Sequence, residues 1–230
     1  GRVYLTSAPE TFWLALPMWW LLWLHLRGPV TASPARQLGA LAYTLIGVAM
    51  GLGAAGDVDL ARSVGAAVAR AVKAMGFNWN FAPVLDLNNN PDNPVIAERS
   101  FGADPKQATE LALAWMEGSL AEGVACCVKH FPGHGFVKAD SHIDIPVDKR
   151  SLKAILADDA QPYRWLGSVL TAVMPAHVIY SKVDSRPAGF SPRWLQDILR
   201  AQLGFQGVVC TDDLSMAAAR QMDGRTLSYT

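Results

Sequence analysis

The chain has no surplus of charge: 20 Lys and Arg residues face 20 Asp and Glu in 230 residues. No long-range field therefore draws it to nucleic acid or to an anionic membrane surface, and the partner expected is a neutral or weakly charged small molecule. Cysteine is scarce. Cys126, Cys127 and Cys210 form neither a CxxC pair nor a Cys/His zinc spacing, which favours buried, reduced thiols and a reducing compartment such as the cytoplasm. No GKS or GKT occurs, and the glycines of GLGAAG at 51–56 follow no recognisable strand, so no phosphate loop is read. There is no fixed-period repeat, no export signal, and no initiating Met before Gly1; such a start is expected of a fragment.

A clean membrane-spanning run is also missing. Phe12–Leu26 is strongly apolar and holds four of the eight Trp, but it is broken by Pro17 and carries His25. Gln37–Gly56 has twenty residues without a charge, interrupted by five glycines. Both approach spanning length, yet a buried helix or a poorly matched insertion accounts for them better, and no membrane partner is expected. With 51% hydrophobic and 17% charged residues, the composition is that of a globular domain with a substantial core.

From Asp57 the pattern becomes regular. Leu60, Val64, Ala67, Val68, Val72 and Met75 recur at helical spacing up to Gly76. Residues 77–87, FNWNFAPVLDL, read as a buried strand followed by the loop NNNPDNP at 88–94. A helix over 103–122 opens at Asp104-Pro105 and closes at Gly123, before the apolar run Val124–Val128. Helical stretches at 151–168 and 192–203 precede strands at 170–179 and 207–210. Strands alternating with crossover-length helices predict a parallel α/β sheet. Asp86, Lys129, His130, His177, Asp212 and Asp213 all fall just after strands, which in a (β/α) barrel is the catalytic face.

The densest polar cluster is KHFPGHGFVKADSHIDIP, Lys129–Pro146. Gly133 and Gly135 flank His134 and let the backbone turn sharply or approach a ligand. His130, His134 and His142 could supply metal ligands, but there is no HExxH pattern, and no metal or other cofactor is expected. Asp140 and His142, one residue apart, can place a carboxylate against an imidazole and raise its proton affinity, which suits a proton shuttle. Taken alone, the pair fits a structural loop hydrogen bond better. Of Asp212 and Asp213, one is expected to turn inward, assigned here to Asp212, while Asp213 caps the next helix, starting near Leu214, or supports the site from behind. Lone Lys129 and Arg99 are ordinarily solvated charges; the place of Lys129 at the end of a buried strand argues otherwise. His177 is left to the core or to a supporting position.

KHFPGHG at 129–135, DSH at 140–142, NFAPVLDL at 80–87, ERSFGADP at 98–105, VMPAHVIY at 173–180 and TDDLSM at 211–216 together resemble glycoside hydrolase family 3. They are most similar to its bacterial β-N-acetylglucosaminidase branch, which acts in peptidoglycan recycling. The resemblance implies a retaining hydrolase of terminal β-linked N-acetylglucosamine. Asp212 is then the nucleophile that forms a glycosyl-enzyme, His142 the acid/base, and Asp140 its partner in place of the Glu of other branches. Lys129, His130 and Arg99 are implied to hydrogen-bond the terminal sugar. A His donor departs from the usual pair of carboxylates.

The pattern covers about Gly53 to Met216. Residues 12–48 have no convincing counterpart, and the tail DGRTLSYT departs from it. The division expected is an atypical apolar segment 1–56, a catalytic core 57–216 and a divergent tail 217–230. Four strands and part of a fifth can be placed, against eight in a closed barrel, so the fold expected is TIM-barrel-like and incomplete, a monomer with unpaired sheet edges and weak turnover or none. Competing readings are phosphorolysis of the same glycosides, a broader β-glucosidase or β-xylosidase, and an inactive membrane-associated sugar-binding remnant.

Overall fold

The computed structural model describes residues 48–138, 145–216 and 219. The apolar run 12–26, most of the run 37–56, and Asp140 with His142 lie outside the described residues. Among those described, no helix is long and apolar enough to cross a membrane.

Among the described residues, the elements that build the site follow in the order α1 (Val58–Ala74), β1 (Trp79–Asn80), α2 (Pro105–Ala121), β2 (Ala125–Phe131), β3 (Val147–Asp148), α3 (Leu152–Ala157), α4 (Gln161–Leu166), β4 (Ala172–Pro175), β5 (Ile179–Tyr180) and β6 (Val208–Val209). A π-helix, Arg193–Gln202, precedes β6. Strands β1, β2, β4 and β6 pair in that order, all parallel, and β3 pairs with β5 in parallel beside them. This is the expected α/β arrangement of an incomplete barrel. The extra pair, β3 and β5, is two residues long on each side, too short to leave an alternation in the sequence.

The helix starts follow their capping signals. The Asp57 carboxylate accepts from the amides of Asp59 and Leu60, and that of Asp104 from Lys106 and Gln107 with Pro105 in the first turn. Three expectations need correction. The strand read over 77–87 is reduced to Trp79–Asn80 and an isolated bridge from Val84 to Lys129. Pro83 has no amide to give the ladder, and its carbonyl instead accepts from Lys129 N. The helix read over 151–168 is two, broken at Asp158–Ala160, where Asp159 turns into the interior. The helix read over 192–203 is wound as a π-helix over Arg193–Gln202, which no local signal announced.

Phe131 of β2 anchors the core. Its ring meets Tyr163 at 5.2 Å and Trp194 at 5.9 Å, both edge-on, and Tyr180 joins Trp194 at 4.9 Å. These four side chains are buried. On the outer layer, α1 and α2 cross backbone to backbone. A Cβ on Gly65 would stand 2.0 Å from the Trp115 carbonyl oxygen, and one on Gly118 2.0 Å from that of Arg62. The exposed Arg62–Glu117 and Arg70–Glu122 pairs, at 2.9 and 2.7 Å, add little to this contact.

Alanine at an ordinary helical glycine stabilises by up to about 1 kcal/mol. At Gly65 or Gly118 the sign is expected to reverse, because the helices must separate: Gly65→Ala and Gly118→Ala each destabilise by about 1–3 kcal/mol. A lowered urea midpoint checks this; an unchanged or raised midpoint contradicts the close crossing.

Candidate active site

The carboxyl ends of the parallel strands gather one polar cluster. At its back is Asp86, 1% exposed, just beyond the Val84 bridge. Its carboxylate accepts from the amide of His134 at 2.7 Å and from that of His130 at 3.2 Å, and lies 2.6 Å from His130 Nδ1. Burial alone pushes the Asp86 carboxyl up; the facing His130 and His134 with their donors outweigh it and hold it below its ordinary value. Asp86 is thus a buried anion, and it turns His130 so that Nε2 points to Asp212 Oδ2, 3.7 Å away. That gap is too long for a hydrogen bond.

Asp212 follows β6, whose end is fixed by Cys210 N donating to the Val173 carbonyl at 2.9 Å. Its carboxylate is partly open, 17% exposed, and Oδ1 accepts from Asp213 N at 2.8 Å. Asp213 faces the other way and accepts from both the amide and the hydroxyl of Ser215 at 2.7 Å. Asp212 turns inward, whereas Asp213 closes a turn over 214–216 where a helix start was expected.

Lys129, in the second half of β2, is half-buried. Burial and the neighbouring Arg99 lower its proton affinity, and Asp212 opposes them, so these three groups share one field. Arg99 ends a short 3-10 turn, Ala97–Arg99, and donates from Nη1 to the Val95 carbonyl at 3.1 Å. Of the six residues assigned from the sequence, Asp212, His130, Lys129 and Arg99 are therefore brought together. Asp140 and His142 lie outside the described residues. No three His, Cys, Asp or Glu side chains gather as a metal set among the described residues.

Two further residues, read from the sequence as following strands but given no catalytic or binding role, belong to the cluster. Asp86 stands in the NFAPVLDL stretch, where an acidic residue ending an apolar run was the available signal. His177 is 1% exposed and stacks on Phe190 with ring centres 5.3 Å apart at 7°. Burial lowers its proton affinity while Asp212 pulls the other way. The backbone of His134 is held on both sides: its amide donates to Asp86 and its carbonyl accepts from Asn93 Nδ2 at 2.7 Å.

Burial, with His130 facing it, lowers His134 from 6.5 to about 4. In the unfolded chain this ring takes up a proton near pH 6.5, and in the folded chain only near 4. Its contribution to stability is therefore full above pH 6.5 and lost as pH falls towards 4, at up to about 1.4 kcal/mol per pH unit. Unfolding free energies of His134→Phe between pH 7 and 4 should show a shallower slope than the parent; equal slopes contradict the buried neutral ring.

Residues 35–228 match the family model described as glycosyl hydrolase family 3 N terminal domain. A β-hexosaminidase of Bordetella avium is 53% identical over 163 residues, covering 70% of this chain and 46% of the relative. One of Pseudomonas aeruginosa is 51% identical over 161 residues, covering 70% of this chain and 48% of its own. The chain spans about half the length of the curated relatives it matches. Among solved structures, a glycoside hydrolase family 3 β-N-acetylglucosaminidase from Paenibacillus superposes with a TM-score of 0.74 at 40% identity, over 76% of this chain and 34% of the other. NagZ from Neisseria gonorrhoeae, in complex with N-trifluoroacetyl-D-glucosamine, gives 0.67 at 44%, over 74% and 51%. With the motifs in family order, the strand ends converging on Asp212, and a family match over most of its length, the chain belongs to glycoside hydrolase family 3.

Proposed function

We propose that the chain carries the centre of a retaining β-N-acetylhexosaminidase that removes terminal, non-reducing β-linked N-acetylglucosamine, with peptidoglycan fragments ending in anhydro-muramic acid as the natural substrate. The observation that carries this reading is the aligned set Asp86, His130 and Asp212: a buried anion, an imidazole fixed by it, and a partly open carboxylate 3.7 Å from the free ring nitrogen. A sugar hydroxyl seated to one side of that pair can bond to both His130 and Asp212. Lys129 and Arg99 add cationic donors on the same side, suited to neutral hydroxyls and the acetamido carbonyl.

In this mechanism an Asp212 carboxylate oxygen attacks the anomeric carbon as the glycosidic C–O bond breaks. The departing oxygen takes a proton from His142, leaving a glycosyl ester on Asp212. Water then gives a proton to His142 and attacks the same carbon, releasing the sugar and restoring the carboxylate. Asp140 orients His142 and stabilises its protonated form. Residues 57–216 supply this core, between the apolar segment 1–56 and the tail 217–230. A monomer working in the cytoplasm on a small carbohydrate fits the balanced charge and reduced cysteines.

Trapping with a 2-acetamido-2-deoxy-5-fluoro glycoside needs only the first half of the cycle. Peptide mapping is expected to find the label on Asp212; label on another residue would falsify the assignment. Asp212→Asn should lose at least about a thousandfold in turnover. His142→Ala should lose about 10²- to 10⁴-fold on leaving groups that need a proton. Adding inorganic phosphate should leave the product as free N-acetylglucosamine; a sugar phosphate identifies a phosphorylase instead.

A further inference from the structure

Three sulfur-bearing side chains gather on one face of the sheet, and the chemistry just described uses none of them. Cys127 of β2 and Met174 of β4 are buried, 0% and 5% exposed, in one cluster with Ala172. Cys210, half-buried, packs against that cluster, as does Trp79. Both cysteines are free thiols.

The register of the sheet brings them together. Cys127 pairs with Ala172 and Ala172 with Val208, while Cys210 N donates to the Val173 carbonyl at 2.9 Å and carries the ladder between β4 and β6 one step further. Alternate residues of a strand share a face, so Cys127, Ala172, Met174 and Cys210 point to the same side. Ala172, on the strand between the two thiols, offers only a methyl group and leaves the space above it to sulfur. Across that space the Cys127 and Cys210 thiols interact with each other. Cys126, one residue before Cys127, takes the opposite face, where its thiol meets Ser119 of α2.

Two thiols and a thioether are a soft donor set. Structural zinc sites close with four ligands, whereas thiolate and thioether sulfur together select a soft ion such as Cu(I). No third His, Cys, Asp or Glu joins the two thiols as a metal set among the described residues. Charge balance favours a monovalent ion as well. Cu(I) on two thiolates leaves one net negative charge, and Lys129, two residues beyond Cys127, attracts the Cys127 thiolate.

We propose that Cys127, Cys210 and Met174 form a binding site for one Cu(I) ion. Binding makes two copper–thiolate bonds and one copper–thioether bond, releases the two thiol protons to solvent, and changes no oxidation state. Cys210, the partly open member, is the point of entry.

The test uses the full 230-residue chain, reduced and kept from oxygen, with Cu(I) supplied on a chromophoric chelator. One copper per chain is expected to pass to the protein. Cys127→Ser and Cys210→Ser should each weaken its retention at least about a hundredfold, Met174→Leu about tenfold, and Cys126→Ser less than about threefold. The unsubstituted chain gives a second measurement that depends on no variant folding: one equivalent of Cu(I) should slow alkylation of Cys210 about tenfold or more. Failure of copper to leave the chelator overturns the site, as does an unchanged alkylation rate. Losses as large in Cys126→Ser as in Cys210→Ser also overturn it, since they identify copper held by thiols in general.

Discussion

The site depends on one buried carboxylate. Asp86 has no water to solvate its charge, so its compensation comes from the protein: the amides of His130 and His134 and the His130 ring. Each of those bonds also does geometric work. The amide bonds draw the chain after β2 across the end of the sheet, and the ring bond commits Nδ1, leaving Nε2 to face Asp212. Removing the carboxylate would free the imidazole and loosen the loop together, which is why the three groups are better treated as one unit than as separate contacts.

Around that unit the molecule uses closeness rather than added charge. Gly133 lies against Asp159 and Gly135 against the Leu87 carbonyl, where a Cβ would stand 1.8 Å away, so the loop leaving β2 is seated on the backbone beneath it. Asn93 reinforces the seat by donating to the carbonyls of His134 and Val137 and accepting from the amides of Val95 and Ile96. Behind the sheet, Phe131 packs between Tyr163 and Trp194 and ties β2 to the helices. The same short strand thus supplies both the core and the polar face: Lys129 and His130 serve the site and Phe131 the aromatic cluster, simple alternation being broken by the register shift between Lys129 and Phe131.

Much of the frame was legible along the chain. Asp57 and Asp104 open helices because their carboxylates satisfy amides two and three residues on, a contact that sequence spacing alone describes. Helix ends at Gly76, Gly123 and Gly204 were readable for a similar local reason, as was the gathering of polar residues after the strands. Less legible were the shortness of β1, the break at Asp158–Ala160 and the π-helix. Asp159 is the clearest instance: local pattern favoured a continuous helix, and the break turns its carboxylate towards Arg150 and towards the half-buried Asn89, seventy residues away in the chain.

The sequence by itself determined the family, the parallel α/β class and the identity of Asp212, Lys129, His130 and Arg99 as a set, because order and residue type are properties of the chain. Tertiary structure decided which of these touch and through what. Asp86 and His130 are 44 positions apart, and their 2.6 Å contact exists only because the segment after β1 bridges to β2 in parallel register. Electrostatic partnership in a low-dielectric interior falls off over a few ångströms, and folding, unlike spacing in the chain, sets distances on that scale.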